Sequence, residues 1–116
     1  MHEYSIVDAL LRQIDTEARR VNATRVHRVE LKIGELAGIE RELLALAFEA
    51  YRDETICAGA ELTIHAQPAR WSCPACGKSA AAGVNLRCAD CQTPLTLAEG
   101  DEIILERLEM EVEHVS

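Results

Sequence analysis

Two cysteine pairs constrain this chain more than any other feature. Cys73-Pro74-Ala75-Cys76 and Cys88-Ala89-Asp90-Cys91 are C-x2-C motifs separated by eleven residues. Two residues between cysteines let both sulfurs reach one ion at ~2.3 Å without straining the backbone. Gly77 follows the first pair, where a left-handed conformation is often required. The eleven intervening residues suit a short hairpin that carries the second knuckle round to face the first. Four thiolates fill a tetrahedral shell and leave no position open for water or substrate. The expected occupant is therefore a structural zinc. The same sulfurs also bind iron, and an oxidising compartment would pair them as disulfides.

The rest of the composition bears on where such a site sits. The chain has 116 residues, the length of one domain or of a small domain carrying a smaller one. Hydrophobic residues make up 48% but aromatics only 3%, so the core must be mostly Leu, Ile, Val and Ala. No stretch is long and apolar enough for a membrane span, and the N-terminus lacks a basic-then-apolar signal. A cytoplasmic protein is expected, in which cysteines stay reduced and C-x2-C pairs point to metal. Cys57 has no close partner in sequence and reads as a small buried hydrophobe. The formal net charge is -8, and four thiolates with one divalent ion would take it to about -10. Such a balance repels phosphate backbones, and no basic patch is visible, which argues against nucleic-acid binding.

Periodicity divides the chain. From Tyr4 to Val21, the residues Ile6, Val7, Leu10, Leu11, Ile14, Ala18 and Val21 form an apolar helical stripe. Ser5 and Asp8 read as an N-terminal capping pair. Between Arg25 and Leu36, Val29, Leu31 and Ile33 alternate with Arg28, Glu30 and Lys32 as in a half-buried strand that Gly34 ends or kinks. A second helix is predicted over Ile39 to Thr55, burying Leu43, Leu44, Ala47, Phe48 and Tyr51. A short strand follows over Glu61 to Gln67 and stops at Pro68. The segment Trp71 to Leu97 holds the knuckles, little periodicity and few large apolar residues, so the metal should be what folds it. A last strand, Glu102 to Val112, changes phase near Glu106, which suggests a bulge or bend. The tail, Glu113 to Ser116, reads as loose. The predicted fold is α+β: two helices on a three-stranded sheet, with an inserted zinc-ribbon-like lobe. Its domains are residues 1–68 plus 99–116, and the zinc-binding residues 69–98.

The first three residues hold a second candidate site. A histidine near a terminus is ordinarily just solvated. Here the Met1 amine, the His2 backbone nitrogen and the His2 imidazole follow one another and can close small chelate rings around one ion. A divalent metal can displace the amide proton, and a planar nitrogen-rich set favours nickel or copper. The bulk of His2 should keep Met1 in place. Glu3 adds either a ligand or a favourable charge at a helix start.

Taken together, these motifs resemble the HypA/HybF hydrogenase maturation family of nickel metallochaperones. The resemblance runs through Met1-His2-Glu3-Tyr4-Ser5, Val29-Glu30-Leu31-Lys32-Ile33-Gly34, Ala47-Phe48-Glu49-Ala50 and Gly59-Ala60-Glu61-Leu62. It continues through both knuckles and through Gly100-Asp101-Glu102 into Leu108-Glu109-Met110. It implies a nickel site at the amino terminus with His2 as principal ligand, helped by the Met1 amine and Glu3. It also implies structural zinc at Cys73, Cys76, Cys88 and Cys91. Glu40 falls where relatives carry an acidic residue near the nickel; a helix-capping carboxylate is the alternative. The resemblance further implies nickel delivery to a [NiFe]-hydrogenase precursor, a HypB-type GTPase partner and, in some members, a role with urease accessory proteins. Two departures stand out: Arg41 replaces a proline common in relatives, and the inter-knuckle loop is short. Neither touches a proposed ligand.

His27 and His65 read as structural or surface residues, and His114 lies in the tail. No Ser/His/Asp set, phosphate-binding glycine loop or acid/base carboxylate pair can be assembled, so no enzyme is expected. Two rival readings remain at this point: a zinc-ribbon interaction module without nickel, and a small iron electron carrier.

Overall fold

The computed structural model describes residues 2–81 and 86–112, with backbone alone at His2 and Ala81. Met1, His114 and the tail therefore lie outside the described residues, as does the His2 side chain. The elements are α1 (His2–Arg20), β1 (Ala23–Gly34), α2 (Arg41–Tyr51), a 3-10 turn (Arg52–Glu54), β2 (Glu61–Gln67), β3 (Arg70–Ser72), β4 (Ser79–Ala81), β5 (Thr96–Glu99) and β6 (Ile103–Val112). They form two compact units. One comprises Met1–Leu31, Ile39–His65 and Ile104–Ser116; the other comprises Lys32–Gly38 and Ala66–Ile103. The α+β expectation holds, with one three-stranded sheet in the order β2-β1-β6 and a second in the order β4-β3-β5.

In the first unit, α1 buries Val7, Leu10, Leu11, Ile14 and Ala18, spaced to form one stripe. Its outer face carries Asp8–Arg12 and Asp15–Arg19 ion pairs at 3.2 and 2.9 Å, acid preceding base by four residues. The helix starts two residues before the predicted point, which puts Ser5 and Asp8 inside it. Asp8 therefore pairs with Arg12 and does not cap. Val21, predicted to end the stripe, is 45% exposed because the chain leaves the helix there and Asn22 turns to a φ of 59°.

Helix α2 packs on α1 and is shorter than predicted at both ends. It buries Leu44, Ala47 and Phe48. Leu43 and Tyr51, also predicted to be buried, are 48% and 54% exposed. Leu43 sits one residue off the stripe, and Tyr51 lays its ring edge-on to Tyr4, centroids 5.3 Å apart. Strand β1 adds the fully buried Val26, Val29 and Leu31 to this core. Cys57 is fully buried too, and burial pushes its thiol up to about 11. It stays protonated at neutral pH and is chemically quiet, as a small hydrophobe should be.

The three-stranded sheet has β1 at its centre. Along β6, Ile103 and Leu105 are half-buried, Glu106 and Arg107 are both exposed, and Leu108 and Met110 are half-buried again. The change of phase falls where the sequence placed the break.

In the second unit, β3 lies between β4 and β5, both antiparallel to it. The half-buried Trp71 stands opposite Ala80 on one side and Leu97 on the other. None of these strands was predicted. Gly34 and Gly100 meet here backbone to backbone: a Cβ on Gly34 would lie 2.0 Å from the Gly100 carbonyl oxygen. Gly100 also adopts a φ of 116°, and a Cβ there would strike Ala69 at 2.6 Å. Close by in the chain, the Leu36 N–H donates to the Gly100 carbonyl at 2.8 Å, and the Ala69 N–H to Glu35 Oε1 at 2.9 Å.

Candidate metal centres

The two knuckles are built alike. After Cys73, the Gly77 N–H donates to the Cys73 carbonyl at 2.8 Å; after Cys88, the Gln92 N–H donates to the Cys88 carbonyl at 2.9 Å. The Cys73 and Cys88 N–H groups donate to the Lys78 and Thr93 carbonyls, each at 2.9 Å. The residue closing each turn is left-handed, with φ of 79° at Gly77 and 58° at Gln92. Gly77 thus does what the sequence suggested, while Gln92 adopts the same conformation with a Cβ to accommodate. Arg87 Nη1 donates to the Gln92 carbonyl at 3.0 Å, tying the second knuckle to the chain that enters it. Lys78, just after the first knuckle, forms an ion pair with Asp90 inside the second.

These turns bring all four sulfurs within 4.8 Å of one another. Cys76 Sγ and Cys88 Sγ, one from each knuckle, are 3.7 Å apart. A tetrahedral ion with ~2.3 Å bonds to sulfur requires an edge of about 3.8 Å, so the donor set fits a zinc-sized ion. One sulfur of each pair is buried (Cys73, Cys88) and one exposed (Cys76, Cys91). The Cys76 backbone N–H lowers the Cys73 thiol, and the Cys91 N–H lowers Cys88. Cys91 is pushed up to about 12, chiefly by its side-chain hydrogen bond with Cys76. Four crowded acids compete for protons, and a divalent cation among them would let all four ionise. Among the described residues of this unit, the buried apolar side chains are few: Ile33 and Ala69, with Cys73 and Cys88 themselves.

At the other candidate site, His2 is the first residue of α1 and Glu3 lies half-buried in its first turn. Glu40 is the N-cap of α2, exposed, and its carboxylate makes no capping hydrogen bond. The capping alternative for Glu40 therefore finds no support in its side chain.

A third cluster escaped the sequence reading. Glu30, His65 and Glu106 place one carboxylate or imidazole atom each within 4.8 Å of the others. The three residues belong to separate strands, and only strand pairing joins them. Among the described residues, His27 pairs with Glu111, at 3.5 Å.

Comparison with known proteins gives a consistent answer. Residues 1–110 match the sequence model of the family described as "Hydrogenase/urease nickel incorporation, metallochaperone, hypA". The chain is 42% identical over 113 residues to the hydrogenase maturation factor HypA of Shewanella halifaxensis, covering 96% of this chain and 98% of that protein. It is 39% identical over 116 residues to the protein of the same name from Wolinella succinogenes, covering 97% and 98%. The solution structure of the Ni metallochaperone HypA from Helicobacter pylori superposes with a TM-score of 0.77 at 29% identity, covering 96% of this chain and 98% of that one. A further HypA solution structure gives 0.81 at 30%, covering 97% and 98%.

Proposed function

This chain belongs to the HypA family of nickel-incorporation metallochaperones, and on that premise we propose that it carries one Ni(II) to the precursor of a [NiFe]-hydrogenase large subunit. The observation that carries this reading is the match of residues 1–110 to the family, tip and knuckles included. The nickel ligands are the Met1 amine, the His2 backbone nitrogen and imidazole, and Glu3, with Glu40 as an accessory carboxylate. The domain spanning residues 1–68 and 99–116 bears this site, and residues 69–98 bear the zinc.

The position of His2 favours this chemistry. Its N–H is one of the first four of α1, which have no intrahelical acceptor. Deprotonating it for nickel therefore breaks no helix hydrogen bond. Ligands at a chain end are few and dissociate one at a time, which suits an ion that must be passed on. Protons compete for the amine, imidazole and amide, so affinity falls as pH drops. The four-thiolate site is closed and holds zinc as a staple of its lobe. The function calls for binding and release, so the protein is not an enzyme. It works in the cytoplasm with a HypB-type GTPase, away from nucleic acid and membranes. No helix among the described residues is long and apolar enough to cross a membrane. Urease maturation, named in the family description, is the second client.

Nickel titrated calorimetrically into the zinc-loaded protein should show about one tip site. His2→Ala, or one extra residue before Met1, should abolish it. Nickel binding that keeps its wild-type affinity through both changes would rule the terminal site out.

A further inference from the structure

We infer that Glu30, His65 and Glu106 form a second, exchangeable site for a divalent transition-metal ion on the polar side of the three-stranded sheet. Each strand supplies one donor: β1 gives Glu30, β2 gives His65 and β6 gives Glu106, all within 4.8 Å of one another. His65 Nε2 and Glu30 Oε1 are 3.1 Å apart. Glu30 comes from the central strand and its side chain is only 17% exposed, so the sheet holds it in place. His65 is more open to solvent and gives an ion its way in.

The donor chemistry selects the ion. One imidazole with two carboxylates suits zinc, nickel, cobalt or copper, whereas calcium and magnesium take oxygen ligands. Three protein donors leave coordination positions for water, unlike the closed four-sulfur shell. The main competitor is Arg107, whose Nε is 3.8 Å from Glu30 Oε2 and whose Nη2 is 3.7 Å from Glu109 Oε1. Glu106 also has an existing partner that an ion must replace. Arg107 is largely exposed, and such contacts are weak enough to displace. His27 is an internal control. It faces solvent beside one carboxylate of Glu111, with no third donor among the described residues.

The test uses the full zinc-loaded chain carrying His2→Ala, titrated with nickel chloride and, separately, zinc chloride. One further equivalent should bind. His65→Asn and Glu30→Gln should each weaken it at least ~10-fold, and His27→Asn should leave it unchanged. Arg107→Ala, by removing a nearby positive charge, should tighten it by roughly twofold to tenfold. In the wild-type chain, nickel beyond one equivalent should broaden the imidazole resonances of His65 before those of His27. This arm needs no variant to fold. Binding that ignores both His65→Asn and Glu30→Gln, or broadening centred on another histidine, makes the cluster an ion-pair network only. Loss of nickel in His2→Ala with the extra equivalent intact separates this site from the terminal one.

Discussion

The two compact units hold themselves together by different means. In the first, Val7, Ile14, Val26, Leu31, Leu44 and Phe48 are fully buried, and burial of this kind drives folding without any ion. In the second, two of the few buried apolar side chains among the described residues are Cys73 and Cys88, members of the four-cysteine cluster itself. One unit is organised by area removed from water; for the other we propose four bonds to one ion, at the point where the sulfurs converge. The difference teaches where each should be fragile: the first to lost volume, the second to lost charge neutralisation.

The largest expected effect therefore comes from taking the metal away. Chelation removes a contribution on the order of 10–16 kcal/mol, and Cys73→Ser, which replaces one of four thiolates, removes part of it. Amide resonances from β3 to β5 should collapse while those of α1 and α2 keep their dispersion. A knuckle lobe that stays ordered without metal would break the contrast. Next in size is Phe48→Ala, expected to cost ~3–5 kcal/mol in urea unfolding of the first unit. Bound zinc per chain should not change; if zinc is lost as well, the units are not independently held.

Smaller changes sharpen the picture within the second unit. Gln92→Gly relieves a left-handed backbone that Gly77 adopts freely in the twin knuckle. It should raise zinc affinity by about fivefold, equivalent to roughly 1 kcal/mol, as read by competition with a chromophoric chelator. A decrease would mean that the Gln92 side chain, which donates to the Ala89 carbonyl at 3.4 Å, outweighs the strain. The smallest effect belongs to Lys78→Ala. Both partners of the Lys78–Asp90 pair are more than half exposed, so the change should cost less than ~1 kcal/mol and less still at high salt. A larger loss in a salt series would make that pair a structural bolt between the knuckles.

The same contrast explains what could be read from the sequence. The long apolar stripes of α1 and β1 reflect burial, and burial leaves a period in the residues. The C-x2-C knuckles are local, so their chemistry is written within four residues each. Strands β3, β4 and β5 run only three or four residues each, too short for a period of two to stand out in the sequence. Leu43 and Tyr51 were misplaced because apolar character alone cannot say how wide the buried stripe is. Glu30, His65 and Glu106 were separately visible on three predicted strands. What joins them is register between segments distant in the chain, which no local pattern records.

The placement of the aromatic rings has one more consequence. The chain has a single tryptophan, and it is Trp71, two residues before Cys73 on β3. Its two tyrosines, Tyr4 and Tyr51, meet edge to face across α1 and α2. The molecule thus carries a separate optical reporter for each region. Indole fluorescence should follow the state of the four-cysteine lobe, and tyrosine signals that of the helix pair. Metal exchange in one unit can be watched against the other without attaching any label.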